Sequence, residues 1–356
     1  MKTVLVLVLL VAVFVVEASA ADWVDDWARM ELIKPKSYVC HPATGPIEIN
    51  GKLDEASWRD APWTDDFNDI QGDVKPRPRF HTRAKMLRDS EYFYVGAELE
   101  EPHVWATLTQ HDSIIYHDND FEIFIDPDGD NHEYYEIEIN ALGTEWDLLL
   151  IHPYKDGGPA VNSWEIPGLK VAVHVEGTLN NPADVDKNWV VEVAIPWKVL
   201  AECAHRAAPP SDGDQWRINF SRVEWKVEIV DGKYRKIAGE PEDNWVWSPQ
   251  GVIDMHRPEK WGYVQFSRAT GAEYQPDPAA RARDLLHRIY YAQLGYRQEH
   301  GRWATTMAEL GLEGVGHKSL QMQVTQSGFE VTVEVEYPEG KALRWHIRQD
   351  SRVWGD

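Results

Sequence analysis

Residues 117–140 read HDNDFEIFIDPDGDNHEYYEIEIN. Taken as two strands around a turn, the period-two alternation of a strand puts Asp120, Glu122, Phe124 and Asp126 on one face, with Phe121, Ile123 and Ile125 on the other. The second strand repeats the pattern, with Tyr135, Ile137 and Ile139 on one side and Tyr134, Glu136, Glu138 and Asn140 on the other. If both strands bury their Ile and Phe, the hairpin must pair even-numbered residues with even-numbered ones. Glu122 then falls opposite or beside Glu136 or Glu138, where like charges destabilise a sheet, and Asp120 adds to them. A bound cation, an arginine such as Arg222, or ligand hydroxyls donating to the carboxylates would offset that repulsion. The alternative is a solvated polar face whose carboxylates spread apart.

Asp126, Asp128 and Asp130 in the turn alternate as oxygen ligands do in calcium loops. The rest of an EF-hand is missing, since Gly129 comes one place early and Ile137 stands where the twelfth-position Glu belongs. An Asp-Pro-Asp-Gly turn capping the hairpin is the other reading. In FSRVEW, Ser221 and Glu224 are expected opposite Arg222, which would pair with the acidic face. WSPQGVIDMHRPEKWGY crowds Trp247, Met255, His256, Arg257 and Trp261 together, as a ligand wall or as a packed loop. Met255 and His256, with His103 and His111, also raise haem ligation, although no c-type attachment motif is present. Cys40 and Cys203 are either a disulfide or buried thiols.

These residues need a scaffold. From about residue 38 to 268 the chain alternates short strand-like runs with Gly, Pro, Asn and Asp clusters, and no helical segment separates successive strands apart from a short turn at PWKVLAECA. That pattern predicts a mainly β fold, an antiparallel β-sandwich of jelly-roll type. Residues 273–356 change character: Leu285, Ile289 and Leu294 recur at helical spacing after Asp277-Pro278, and SLQMQVTQ, FEVTVEVEY and ALRWHIRQD read as strands. This is a small α+β appendage. Residues 21–37 form an N-terminal leader. Ahead of them, Lys2, the apolar run from Val4 to Val16 and Ala18-Ser19-Ala20 read as a secretory signal peptide over residues 1–20. Its apolar run is too short to span a bilayer, so the expected product is exported and not inserted in the membrane. The formal charge of -23 repels phosphate backbones, which argues against nucleic-acid partners and leaves neutral ligands and divalent cations.

The strand pieces resemble, in order, the family 9 carbohydrate-binding modules over residues 46–267. NGKLDEASW, DSEYFYVGAELEEP, NDFEIFIDPDGD, NALGTEWD, GTLNN, NWVVEVAIPWKVL, INFSRVEW and HRPEKWGYVQFS carry the match. The resemblance implies a jelly-roll sandwich that holds a sugar between two aromatics beside carboxylates and amides. It places one aromatic at Tyr116 with the glutamate at Glu122, the second aromatic at Met255 beside His256, and polar partners at Glu138 and Ser221 or Arg222. Met in place of an aromatic departs from the family, because a thioether covers a ring face less specifically. Calcium also occurs in the family. The expected partner is an oligosaccharide or polysaccharide, in association with glycoside hydrolases. The competing reading is a glycoside hydrolase in its own right, which needs a pair of carboxyl groups at set spacing.

Overall fold

The computed structural model describes residues 20–315, 317–338 and 340–356. The signal segment, up to Ser19, lies outside the described residues. The sandwich strands are β1 (Ser37–Pro42), β2 (Asn68–Asp69), β3 (Thr82–Arg88), β4 (Tyr92–Glu100), β5 (Asp120–Asp126), β6 (Tyr134–Asn140), β7 (Glu145–Leu150), β8 (Ala160–Val161), β9 (Lys170–Glu176), β10 (Asn188–Pro196) and β11 (Gln215–Glu224). A separate hairpin, β12 (Val227–Val230) and β13 (Lys233–Lys236), precedes β14 (Asp243–Val246) and β15 (Gly262–Phe266). Two short helices, α2 (Ala56–Asp60) and α3 (Trp197–Leu200), decorate the strands.

Thirteen strands form one curled sheet in the order β8-β7-β6-β5-β11-β15-β1-β3-β4-β10-β9, with β14 on β11 and β2 on β14. The mainly β expectation holds, with one refinement at β1. Its first half pairs parallel with β15, Cys40 opposite Phe266, and its end pairs parallel with β3, His41 opposite Leu87. A strand that passes from one half of a sandwich to the other joins partners distant in sequence, so hairpin-type antiparallel pairing is not imposed on it. Phe121, Ile123, Ile125, Tyr135, Ile137 and Ile139 face Val95, Leu99, Val191, Val193 and Ile195 across the core. Each such side chain contributes about 1.5–3 kcal/mol when removed from water, which is why the hairpin cannot slip by one residue.

Cys40 and Cys203 are free thiols, in place of the bridge left open by the sequence. Cys40 points into the sandwich core, where burial pushes its thiol far above the ordinary range, whereas Cys203 is half-buried beyond α3 with its N–H on the Tyr135 hydroxyl.

The appendage consists of α4 (Ala280–His300) and a second sheet of β16 (Gln321–Val324), β17 (Phe329–Glu336), β18 (Ala342–Arg348) and β19 (Val353–Gly355) in sequence order. The α4 helix begins after Asp277, whose carboxylate accepts the Ala279 N–H, and ends at Gly301 with φ +69°. Residues 21–37, read from sequence as an N-terminal leader, pack on the appendage. They hold all but the first residue of α1 (Ala20–Met30), whose Trp27 stacks on Tyr291 of α4 at 5.4 Å and whose Met30 is buried in the same cluster as Leu286, Ile289 and Val333. Among the described residues no helix is long and apolar enough to cross a membrane.

Candidate functional site

The hairpin register is the even-to-even one: Asp120 faces Asn140, Glu122 faces Glu138 and Phe124 faces Glu136. On one flank β11 sets Ser221 beside Glu122; on the other β7 sets Trp146 beside Glu138. The turn fixes this register. Asp126 accepts the N–H groups of Gly129 at 2.8 Å and Asn131 at 2.9 Å, and both donors sit at positive φ (70° and 76°), a conformation Gly and Asn adopt at little cost.

Asp120, Glu122, Glu136 and Glu138 therefore share the face opposite the apolar core, and they are only 0, 5, 5 and 2% exposed. One oxygen each from Asp120, Glu122 and Glu138 lie within 4.8 Å of one another. Few donors reach them: the Val223 N–H to Asp120 at 3.1 Å, the Tyr116 N–H to Glu138 at 2.9 Å, and Ser221 to Glu122. Asp120 Oδ2 and Glu136 Oε2 are buried without any hydrogen-bond partner. Among the described residues no Lys, Arg or His forms an ion pair with any of the four.

Burial, which penalises the charged form, raises all four acids. Glu122 is pushed up to about 7, with Ser221 pulling against burial. Burial and then Glu122 hold both Asp120 and Glu136 well above the ordinary carboxyl range, while a hydrogen bond with Glu138 pulls Glu136 the other way. Burial, then Glu122, Asp120 and Glu136, do the same to Glu138. Burial alone does not force this arrangement. Asp118, 1% exposed, accepts from the Thr107 N–H and hydroxyl, the Leu108 N–H and the Asn140 amide, so neutral donors satisfy it.

Aromatic groups rim the acids. Tyr116 is 39% exposed and Tyr154 51% exposed. Burial comes first in raising both phenols; Glu138 is then the main charge acting on Tyr116, and Glu136 and Glu138 act on Tyr154, which is pushed up to about 12. His256 meets the edge of Tyr154 at 4.5 Å and hydrogen-bonds the Tyr134 hydroxyl through Nδ1 at 2.9 Å. Met255 packs beside Phe124, Tyr134 and Trp261, with Trp146 on the same cluster.

The residues singled out from sequence thus divide. Tyr116, Glu122, Glu138 and Ser221 converge on one face, and Met255 and His256 pack against its Phe124 and Tyr134. Arg222 does not join them. Positions 222 and 224 are two apart and so share a face, and Arg222, 0% exposed, binds Glu101 and Glu224 at 2.8 Å each. Its other donors go to Thr82 Oγ1 and the Glu100 carbonyl. The expectation that Glu224 opposes Arg222, and that Arg222 neutralises the acidic face, is corrected accordingly. His103 meets Tyr234 and His111 meets Asp147 and Glu165, away from Met255 and His256. Tyr154 was not anticipated. It lies in HPYKDGG, a segment with no strand periodicity, so only the fold brings it to the acids.

Asp126, Asp128 and Asp130 also group closely enough to hold an ion. Here, however, the carboxylates accept local N–H groups, and Asp130 pairs with Arg352 at 2.8 Å. A cavity of about 850 Å³ lies elsewhere, between the sandwich and the appendage, lined by Arg217, Tyr263, Trp345, Arg352 and Trp354 among others.

No curated protein matches this chain. Among solved structures, a Bacteroides uniformis protein is 16% identical, with 66% of this chain and 100% of that one covered and a TM-score of 0.49. A family 9 carbohydrate-binding module from Caldicellulosiruptor kristjanssonii, in complex with cellotriose, is 14% identical over 68% of this chain and 99% of that one, with a TM-score of 0.43. The same module in complex with glucose is 14% identical over 67% and 100%, with a TM-score of 0.42. The family described as carbohydrate family 9 binding domain-like matches residues 49–248, which hold every strand from β3 to β14 and the whole acidic face. Because that match spans more than half of the 356 residues, the chain belongs to the carbohydrate family 9 binding domain-like family.

Proposed function

We propose that the β5–β6 face binds sugars, with Tyr116 and Tyr154 covering the apolar C–H faces of a ring while Glu122, Glu138 and Ser221 organise the polar floor. The observation that carries this reading is the pairing of two exposed tyrosines with four buried carboxylates that form no ion pair among the described residues, all inside the family match. An exposed phenol rim over a polar floor suits a molecule that is apolar on its faces and hydroxylated at its edge. Export and support of polysaccharide-degrading enzymes belong to the same proposal.

Calorimetry of the full chain against a panel of soluble oligosaccharides tests it. Binding to at least one glycan, weakened in Tyr116→Ala and in Tyr154→Ala, is the expected result. Uniform failure across the panel would sink the reading.

A further inference from the structure

The acidic face poses an electrostatic problem that none of the described residues solves. Asp120, Glu122 and Glu138 bring oxygen atoms within 4.8 Å of one another. Two oxygens bound to one calcium ion at about 2.4 Å can be at most about 4.8 Å apart. Glu136, outside that triad, lies on the same face two residues from Glu138; it is 5% exposed and leaves Oε2 without a partner. Asp120, 0% exposed, leaves Oδ2 without one. An unpaired carboxylate is costly to hold in a protein interior, and four side by side are costlier. Of the two arginines on the neighbouring strand β11, Arg222 binds Glu101 and Glu224 at the other face, and Arg217 donates to the Pro258 and Glu259 carbonyls.

We infer that the Asp120–Glu122–Glu138 triad is a site for a hard divalent cation of calcium's size, and that the ion is a structural part of the sugar-binding face. The ligand set is all carboxylate oxygen, which suits calcium and excludes soft-metal preference. Three carboxylates supply between three and six oxygens, and water completes the coordination of six to eight that calcium takes. The ion connects to the aromatic rim through Glu138. Its Oε2 accepts the Tyr116 N–H at 2.9 Å, so fixing Glu138 fixes the backbone that carries the exposed ring. Sugar affinity is therefore coupled to the ion. This coupling rests on the sugar-binding reading above; the ion site itself does not.

Calcium chloride titrated into the chelator-treated full chain, followed by calorimetry and thermal melting, tests the site. The expected result is saturable binding and a raised Tm in the wild type and in Asp128→Asn, with both lost in Glu138→Gln and Glu122→Gln. Each face variant removes one of several repelling charges, and circular dichroism verifies that each still folds. Absence of any calcium effect on the wild type would overturn the proposal and assign the neutralisation to protons. Calcium binding that survives both face variants and disappears in Asp128→Asn would overturn it by placing the ion in the turn. The coupling is read separately, by titrating a bound oligosaccharide with and without chelator. At least a tenfold loss in chelator is expected, and unchanged affinity would overturn the coupling while leaving sugar binding intact. Calcium binding with no sugar binding under either condition would instead sink the sugar reading and leave the ion site standing.

Discussion

The sandwich buries carboxylates in two neighbouring places and treats them differently. At the C-terminal end of β11, Glu101 and Glu224 close around the Arg222 guanidinium, which lies over Phe80 and Trp245, and Arg79 adds a second bond to Glu224. Burial and Glu224 still hold the Glu101 carboxyl up, but Arg222 pulls against them. On the opposite face of the same sheet, Asp120, Glu122, Glu136 and Glu138 are buried as deeply, and among the described residues no cation pairs with them. The first arrangement completes itself and has the character of structure. The second is incomplete among the described residues, and that incompleteness is what the proposed binding role of this face rests on.

If that contrast is right, removing charge has opposite consequences in the two places. The largest effect belongs to Arg222→Met, which strands Glu101 and Glu224 without their cation. Loss of one partner from a buried ion pair typically costs about 3–5 kcal/mol, readable by urea denaturation. A loss under about 1 kcal/mol would erase the distinction between the two clusters.

Next comes a pH effect that separates the face from the junction with the appendage. His287 of α4, 3% exposed, contacts the Arg283 carbonyl through Nδ1 and the Asn131 amide through Nε2, both at 2.9 Å. Burial pushes its imidazole down from 6.5 to about 4. As pH falls through 6.5 the unfolded chain takes up a proton that the folded chain refuses, so stability present above pH 6.5 is lost progressively toward pH 4. The loss is on the order of 3 kcal/mol for this group. It should shrink in His287→Gln, and an unchanged acid profile in that variant would assign the effect to other groups.

Tyr154→Ala sharpens the comparison from the ligand side. Affinity for a bound oligosaccharide should fall about tenfold, or about 1.4 kcal/mol, while denaturant stability stays within about 0.5 kcal/mol because the ring is half exposed. The smallest effect is the most diagnostic in sign. With chelator present, Glu136→Gln should leave the protein as stable or slightly more so, by about 0.2–1 kcal/mol, because it relieves like-charge repulsion across a sheet. A clear destabilisation would mean that this carboxylate has a structural partner.

Much of this contrast was legible in the chain, but unevenly. The even-to-even parity of the hairpin followed from the need to bury Phe121, Ile123, Ile137 and Ile139 together, which put Glu122 opposite or beside Glu136 or Glu138; the structure makes the partner Glu138. The pattern of short strands and turn residues likewise led to β3 through β7, to β9 through β11 and to α4, but not to the two-residue β8. Arg222 was misplaced because it was matched to the nearest carboxylates by charge, when its even number gives it the face of Ile218 and Phe220. No local signal marked α1 as a partner for α4, since the contact joins segments more than two hundred residues apart.

What the sequence determined by itself was therefore everything governed by a local period: which residues form strands, which side of each strand is apolar, and which acids must share a face. Only the tertiary structure decided what surrounds those acids. It sent Arg222 to the other side of the sheet, brought Tyr154 in from an aperiodic loop to stand with Tyr116, and left Asp120 and Glu136 each with a buried oxygen that no described residue satisfies. The reason is physical: alternation along a strand is set by neighbouring residues, whereas the charge balance at a point in space is set by whatever distant segments the fold carries there.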